Sequence, residues 1–167
     1  NGGGGLRIIG IDPGYAIVGF GVLDYARHKF GVVDYGAITT SADTPFEKRL
    51  LEIFNDLTTV LDRFKPEFLA IERLYFQNNQ KTAIDVAQAR GIVMLAAAQR
   101  GIEIAEYTPL QIKQAVVGYG NAEKRQVQEM TKSILSLAAI PKPDDTADAL
   151  AVAITHAHSH NSAISAF

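Results

Sequence analysis

Cysteine and tryptophan are absent from the 167 residues, and methionine occurs only twice. Without cysteine there is no disulfide, no thiolate metal site and no thiol nucleophile, so any metal chemistry must use oxygen or imidazole ligands. No apolar run approaches the roughly 18 residues of a membrane span, and the start lacks the charged, apolar and small-residue order of a secretory signal. These absences predict a soluble, cytoplasmic protein with no membrane partner. A basic excess is also missing: the formal net charge is -2, whereas phosphate binding usually shows as positive charge. The distribution differs from the sum, because eight Lys or Arg stand against five Asp or Glu between Arg73 and Lys132.

What is present is an apolar fraction of 47%, enough to close one core and short for two, which predicts a single domain over residues 6–158. Asn1 to Gly5, with four consecutive glycines, has nothing to bury and is expected to be a flexible remnant outside the fold, and residues 159–167 a disordered tail.

Leu6 to Asp12 is an apolar, β-branched run ending at the turn pair Pro13-Gly14, and it reads as a buried strand. Strands over Ile17 to Tyr25 and Lys29 to Thr39 follow through connections short enough to force antiparallel hairpins. The period then changes. Leu50, Phe54, Leu57, Leu61 and Phe64 mark one helix face, with Thr44, Pro45 and Glu47 as a capping box and Pro66 as the stop. Phe68 to Glu72 is a short strand, Lys81 to Gln99 a helix, and Ile102 to Tyr107 a strand before a second capping box, Thr108 to Gln111. Helices over Pro109 to Val117, Ala122 to Ala138 and Asp145 to His158 complete the chain. This order predicts an α/β fold in which three antiparallel strands and two parallel ones form a five-stranded mixed sheet with helices on both faces.

The topology places the ends of the first and fourth strands, Asp12 and Glu72, at one carboxyl edge. Asp145 and Asp148 share a face at the start of the last helix. Each acid alone has an ordinary explanation as a turn, strand-end or capping residue. Together they are harder to dismiss, since Asp12 and Glu72 end runs that should be buried, where an unpaired carboxylate is costly. Divalent cations offset the repulsion of four converging acids, and oxygen-only ligation selects hard ions such as Mg2+. Such a cluster suits two-metal phosphodiester hydrolysis. Two such ions would more than offset the net charge of -2.

Tyr75 and Phe76, just past Glu72 and before the polar run from Gln77 to Lys81, form an aromatic pair able to stack on bases. Lys113, Lys124 and Arg125 are candidate phosphate contacts, Lys124 near a helix start where exposed N–H groups also favour phosphate. Arg73 and Arg90 are candidates for neutralising site carboxylates or phosphates, and Lys81 joins the same DNA-contacting set. His156, His158 and His160 have the look of a metal tract, although only His156 and His160 can share a helical face.

Five blocks in order resemble the RuvC family of Holliday-junction resolvases. They are Ile8 to Gly14 with Gly19 and Gly21; Ala70 to Phe76 with Ala87 to Gly91; Tyr107 to Gln114; Gly118 to Lys124; and Asp145 to His156. The resemblance implies a ribonuclease H-like fold and a homodimeric, magnesium-dependent endonuclease. Its catalytic and metal-ligating carboxylates would be Asp12, Glu72, Asp145 and Asp148, with two Mg2+ per site and Mn2+ able to substitute. It further implies paired symmetrical nicks in four-way junction DNA during recombination and repair, and work beside a branch-migration motor. Tyr75 where the family often has phenylalanine, and the extra acid Asp144, are small departures. Alternatives are an RNA-processing nuclease of the same superfamily and an actin-like ATP-binding phosphotransferase, which would need a second lobe. The helix from Lys81 to Gln99 carries apolar residues around nearly its whole circumference, more than one core face requires, which predicts a symmetric contact with a second copy.

Overall fold

The computed structural model describes residues 4–73 and 80–165. Strands β1 (Leu6–Asp12), β2 (Ile17–Ala26) and β3 (Lys29–Thr39) precede helix α1 (Phe46–Phe64), strand β4 (Phe68–Glu72), helix α2 (Gln80–Gln99) and strand β5 (Glu103–Tyr107). Helices α3 (Pro109–Val116), α4 (Lys124–Ile134) and α5 (Asp144–Ser165) follow. The sheet order is β3-β2-β1-β4-β5. β1–β2 and β2–β3 are antiparallel, and β4 pairs in parallel with both β1 and β5.

Side chains alternate across the pleat, so the two faces of the sheet feed two cores. Ile9, Ile11, Leu69 and Ile71 face α1 and α2, packing with Ile53, Leu57, Val93 and Ala97. Ile8 and Ala70 face α5, with Leu150, Val152 and Ile154. Helix α5 lies unusually close to β1 and β2. A Cβ at Gly10 would collide with the Ala149 carbonyl, and one at Gly19 with the backbone of Asp145. Glycine at these strand positions therefore lets the start of α5 settle on the sheet beside Asp12.

Three sequence expectations are corrected. Pro45, not Thr44, is the N-cap of α1 and makes no side-chain cap hydrogen bond, because the helix begins one residue later than a Thr44 box requires. The capping box at Thr108 and Gln111 is formed, by bonds of 3.1 and 2.8 Å. Residues 159–165, expected to be disordered, continue α5 to Ser165. His160 packs against Phe68 and Asn161 bonds His28, tying that end to the sheet. Finally, α4 runs only from Lys124 to Ile134, shorter than the expected Ala122 to Ala138.

Candidate active site

Parallel pairing of Gly10 with Ala70 and Ile11 with Ile71 sets the ends of β1 and β4 side by side, which brings Asp12 next to Glu72. The first turns of α5 bring Asp145 and Asp148 to the same edge, seated there by Gly10 and Gly19. Asp12, Glu72 and Asp148 are all raised above the usual carboxylate range. Burial pushes the Asp12 carboxyl up to about 8, reinforced by the charges of Asp148 and Asp145, by a hydrogen bond with Asp148 and by Glu72. Burial likewise raises Glu72, with Asp148 adding to the rise while Lys113 and Lys124 oppose it. Asp148 is raised by burial, and Lys124 opposes this. Asp144 is different. It is half-exposed, lies 3.3 Å from Lys142 and 3.8 Å from Lys124, and is held below the usual carboxylate range, chiefly by Lys142.

Among the described residues no three acid or histidine side chains surround one point closely enough to hold an ion. The donor set nonetheless fits a hard divalent cation. A proton held at about 8 by burial and by repulsion among carboxylates is what such a cation would displace, and every donor is oxygen.

Two cavities of about 260 Å³ flank the acids and share Glu72 and Pro109 as a wall. One contains Asp148, Lys113 and Lys124, with Lys124 Nζ 3.7 Å from Asp148. The other contains Asp12, Arg73 and Arg90. Of the other candidates, Arg125 is exposed on α4 away from both cavities. Tyr75 and Phe76 lie outside the described residues, as does the side chain of Lys81.

The histidines do not form a metal tract. His156 and His160 pack on Phe68, at ring distances of 4.6 and 5.3 Å, while His158 turns toward Phe30 and the Ala115 carbonyl. Sequence reasoning missed two features. Tyr107 and His156 share a 2.6 Å hydrogen bond, and burial lowers His156 to about 4. The imidazole is therefore neutral, and its tautomer decides which of the two partners donates. Glu106, one residue earlier, gathers Arg73 and Arg90 around its carboxylate. No pattern in its five-residue strand singled Glu106 out in the sequence.

The chain matches the family described as crossover junction endodeoxyribonuclease RuvC over residues 8–156. It is 59% identical over 155 residues to the crossover junction endodeoxyribonuclease RuvC of Ruminiclostridium cellulolyticum, covering 93% of each chain. It is 51% identical to that of Fusobacterium nucleatum, covering 96% of this chain and 84% of the relative. Among solved structures it resembles Thermus thermophilus RuvC in complex with Holliday junction substrate, with a TM-score of 0.90, 36% identity and coverage of 95% and 96% of the two chains.

Proposed function

The chain belongs to the RuvC family of crossover junction endodeoxyribonucleases, and from that premise we propose that it cuts four-way DNA junctions by metal-dependent phosphodiester hydrolysis. The observation that carries the proposal is the meeting of Asp12, Glu72, Asp145 and Asp148 at one sheet edge, with Asp12 pushed up to about 8 by burial and by its acidic neighbours. These four would be the ligands of two Mg2+ ions, with Mn2+ able to substitute. When bound, the ions supply polarisation of the attacking water and charge stabilisation at the leaving oxygen.

The chain's own groups set the conditions for that step. Lys113 and Lys124, in the cavity beside Glu72 and Asp148, hold a strand's phosphate against the acids. Lys124 also balances Asp148, at 3.7 Å, until the substrate arrives. Arg73 and Arg90 carry the strand on the other side of Glu72, and Tyr75, Phe76, Lys81 and Arg125 extend the DNA-contacting surface.

The working unit is a homodimer. α2 buries Ala89, Val93, Ala96 and Ala97, yet Ile84, Gln88, Gly91, Leu95 and Ala98 form an exposed stripe at alternating spacings of four and three. Ile84 is 63% exposed and Leu95 50%, and an apolar groove lined by Leu50, Leu51, Phe54 and Ile92 adjoins Leu95. A second copy fits this face, because a two-fold contact matches a substrate with two opposed strands to cut as a pair. The nicks would leave 5'-phosphate ends. Work beside a branch-migration motor, and residence in the cytoplasm, follow from the family likeness.

The test is substitution of the acids. Asp12→Asn, Glu72→Gln and Asp145→Asn are each expected to reduce junction cleavage by about a thousandfold or more, the scale of lost electrostatic stabilisation, while junction binding in a gel shift persists. Near-full activity in any of them would return that residue to a turn, strand-end or capping role.

A further inference from the structure

The two cavities beside the carboxylates hold their cations in different ways. Where Lys124 answers a site acid directly, Arg73 and Arg90 both turn to Glu106, outside the carboxylate group. Arg73 Nε lies 3.5 Å from Oε2 and Arg90 Nη2 2.9 Å from Oε1. Contact with the Arg90 guanidinium, seconded by Arg73, holds Glu106 below the usual carboxylate range. Two cations on one anion leave the cluster a positive charge in excess.

That charge is not fully used within the fold. Arg90 is 13% exposed, and among the described residues its buried Nε has no hydrogen-bond acceptor, while its buried Nη2 lies 2.9 Å from Glu106 without hydrogen-bond alignment. Buried donors left without an acceptor are costly. A simple staple between α2 and β5 would need one well-aligned arginine. Here there are two, one off-axis and one 57% exposed, and both line the cavity that opens beside Asp12 and Glu72. Planar guanidinium groups suit a phosphate's paired oxygens. The backbone hydrogen bond from Arg73 N to the Tyr107 carbonyl, 2.7 Å, fixes the root of the exposed arginine.

We propose that this cavity is a second phosphate subsite, holding a backbone phosphate of the cleaved strand that neighbours the scissile one, with Glu106 as its positioning residue. Glu106 presents both arginines to the strand and keeps Arg73 from pairing with its chain neighbour Glu72. The proposal rests on the nuclease reading above. It adds which phosphate is gripped and what aims the grip.

The test is single-turnover cleavage of a four-way junction carrying an uncharged methylphosphonate at each phosphate around the cut in turn. The unsubstituted protein should lose about tenfold or more at one non-scissile position, the scale of one charge-assisted hydrogen bond. Arg73→Gln and Arg90→Met should cut the unmodified junction more slowly and show no further loss at that position. Glu106→Gln should do the same in part, with an unchanged melting temperature for Arg73→Gln marking the fold as intact. If Arg90→Met does not fold, Arg73→Gln decides alone. Losses from variant and modified DNA that multiply at every position would overturn the subsite and leave the cluster a staple. An unsubstituted protein that does not cut junctions at all would instead remove the nuclease reading.

Discussion

The placing of Asp12, Glu72, Asp145 and Asp148 at one sheet edge was legible in the sequence because each sits where an element ends or begins, and element ends are where a sheet gathers its ligands. That of Glu106 was not. Its strand has five residues and a half-buried pattern without clear alternation, and the arginines it gathers come from the end of β4 and the middle of α2. His156 was visible as one of three histidines, but its bond to Tyr107 depends on the close packing of α5 over β4 and β5. That histidine carries a pH prediction. Its folded value of about 4 lies below the ordinary 6.5, so between the two the unfolded chain binds a proton that the native state refuses. The stability it contributes is complete above pH 6.5 and is lost as pH falls toward 4, by roughly 3 kcal/mol. Thermal melts over that range should show His156→Gln with a shallower acid loss than the unsubstituted protein. Parallel curves would show that His156 is protonated in the native state.

Most elements were legible because their periodicity and punctuation agreed. β1, β3 and β4 run from first to last residue as expected, each bounded by a turn pair, proline or change of period. The Thr44 box failed because Pro45 is itself the cap, a one-residue shift that motif spacing does not resolve. The role of Gly10 and Gly19 was hidden for another reason. A glycine in a strand signals a close approach without naming what approaches, and here it is α5 carrying Asp145 and Asp148. Gly19→Ala should therefore displace the start of α5. We expect a stability loss of about 1–3 kcal/mol, as for other overpacked sites, with cleavage reduced more than junction binding. Melting curves and gel shifts check both. An Ala variant with unchanged stability and cleavage would show that the helix has room to spare.

For the whole molecule, the mixed sheet with helices on both faces was readable from element order alone, whereas the division of α2 into a buried and an exposed face was not. Apolar residues all round α2 predicted a contact. The structure divides them into a face toward α1 and the sheet and an exposed stripe through Ile84 and Leu95. Ile84→Asp should yield folded monomers by sedimentation at micromolar concentration, with paired nicking reduced to slow, unpaired cuts. A variant that stays dimeric would move the interface elsewhere.

The carboxylate edge is proposed to make a metal-dependent nuclease specific for branched DNA. A synthetic four-way junction and a linear duplex of matched sequence, incubated with the protein in Mg2+ and again in EDTA, test it most directly. Cleavage of the junction alone, and only with Mg2+, is the predicted result. Equal cutting of both substrates would contradict junction specificity, and cutting that persists in EDTA would contradict the role given to Asp12, Glu72, Asp145 and Asp148.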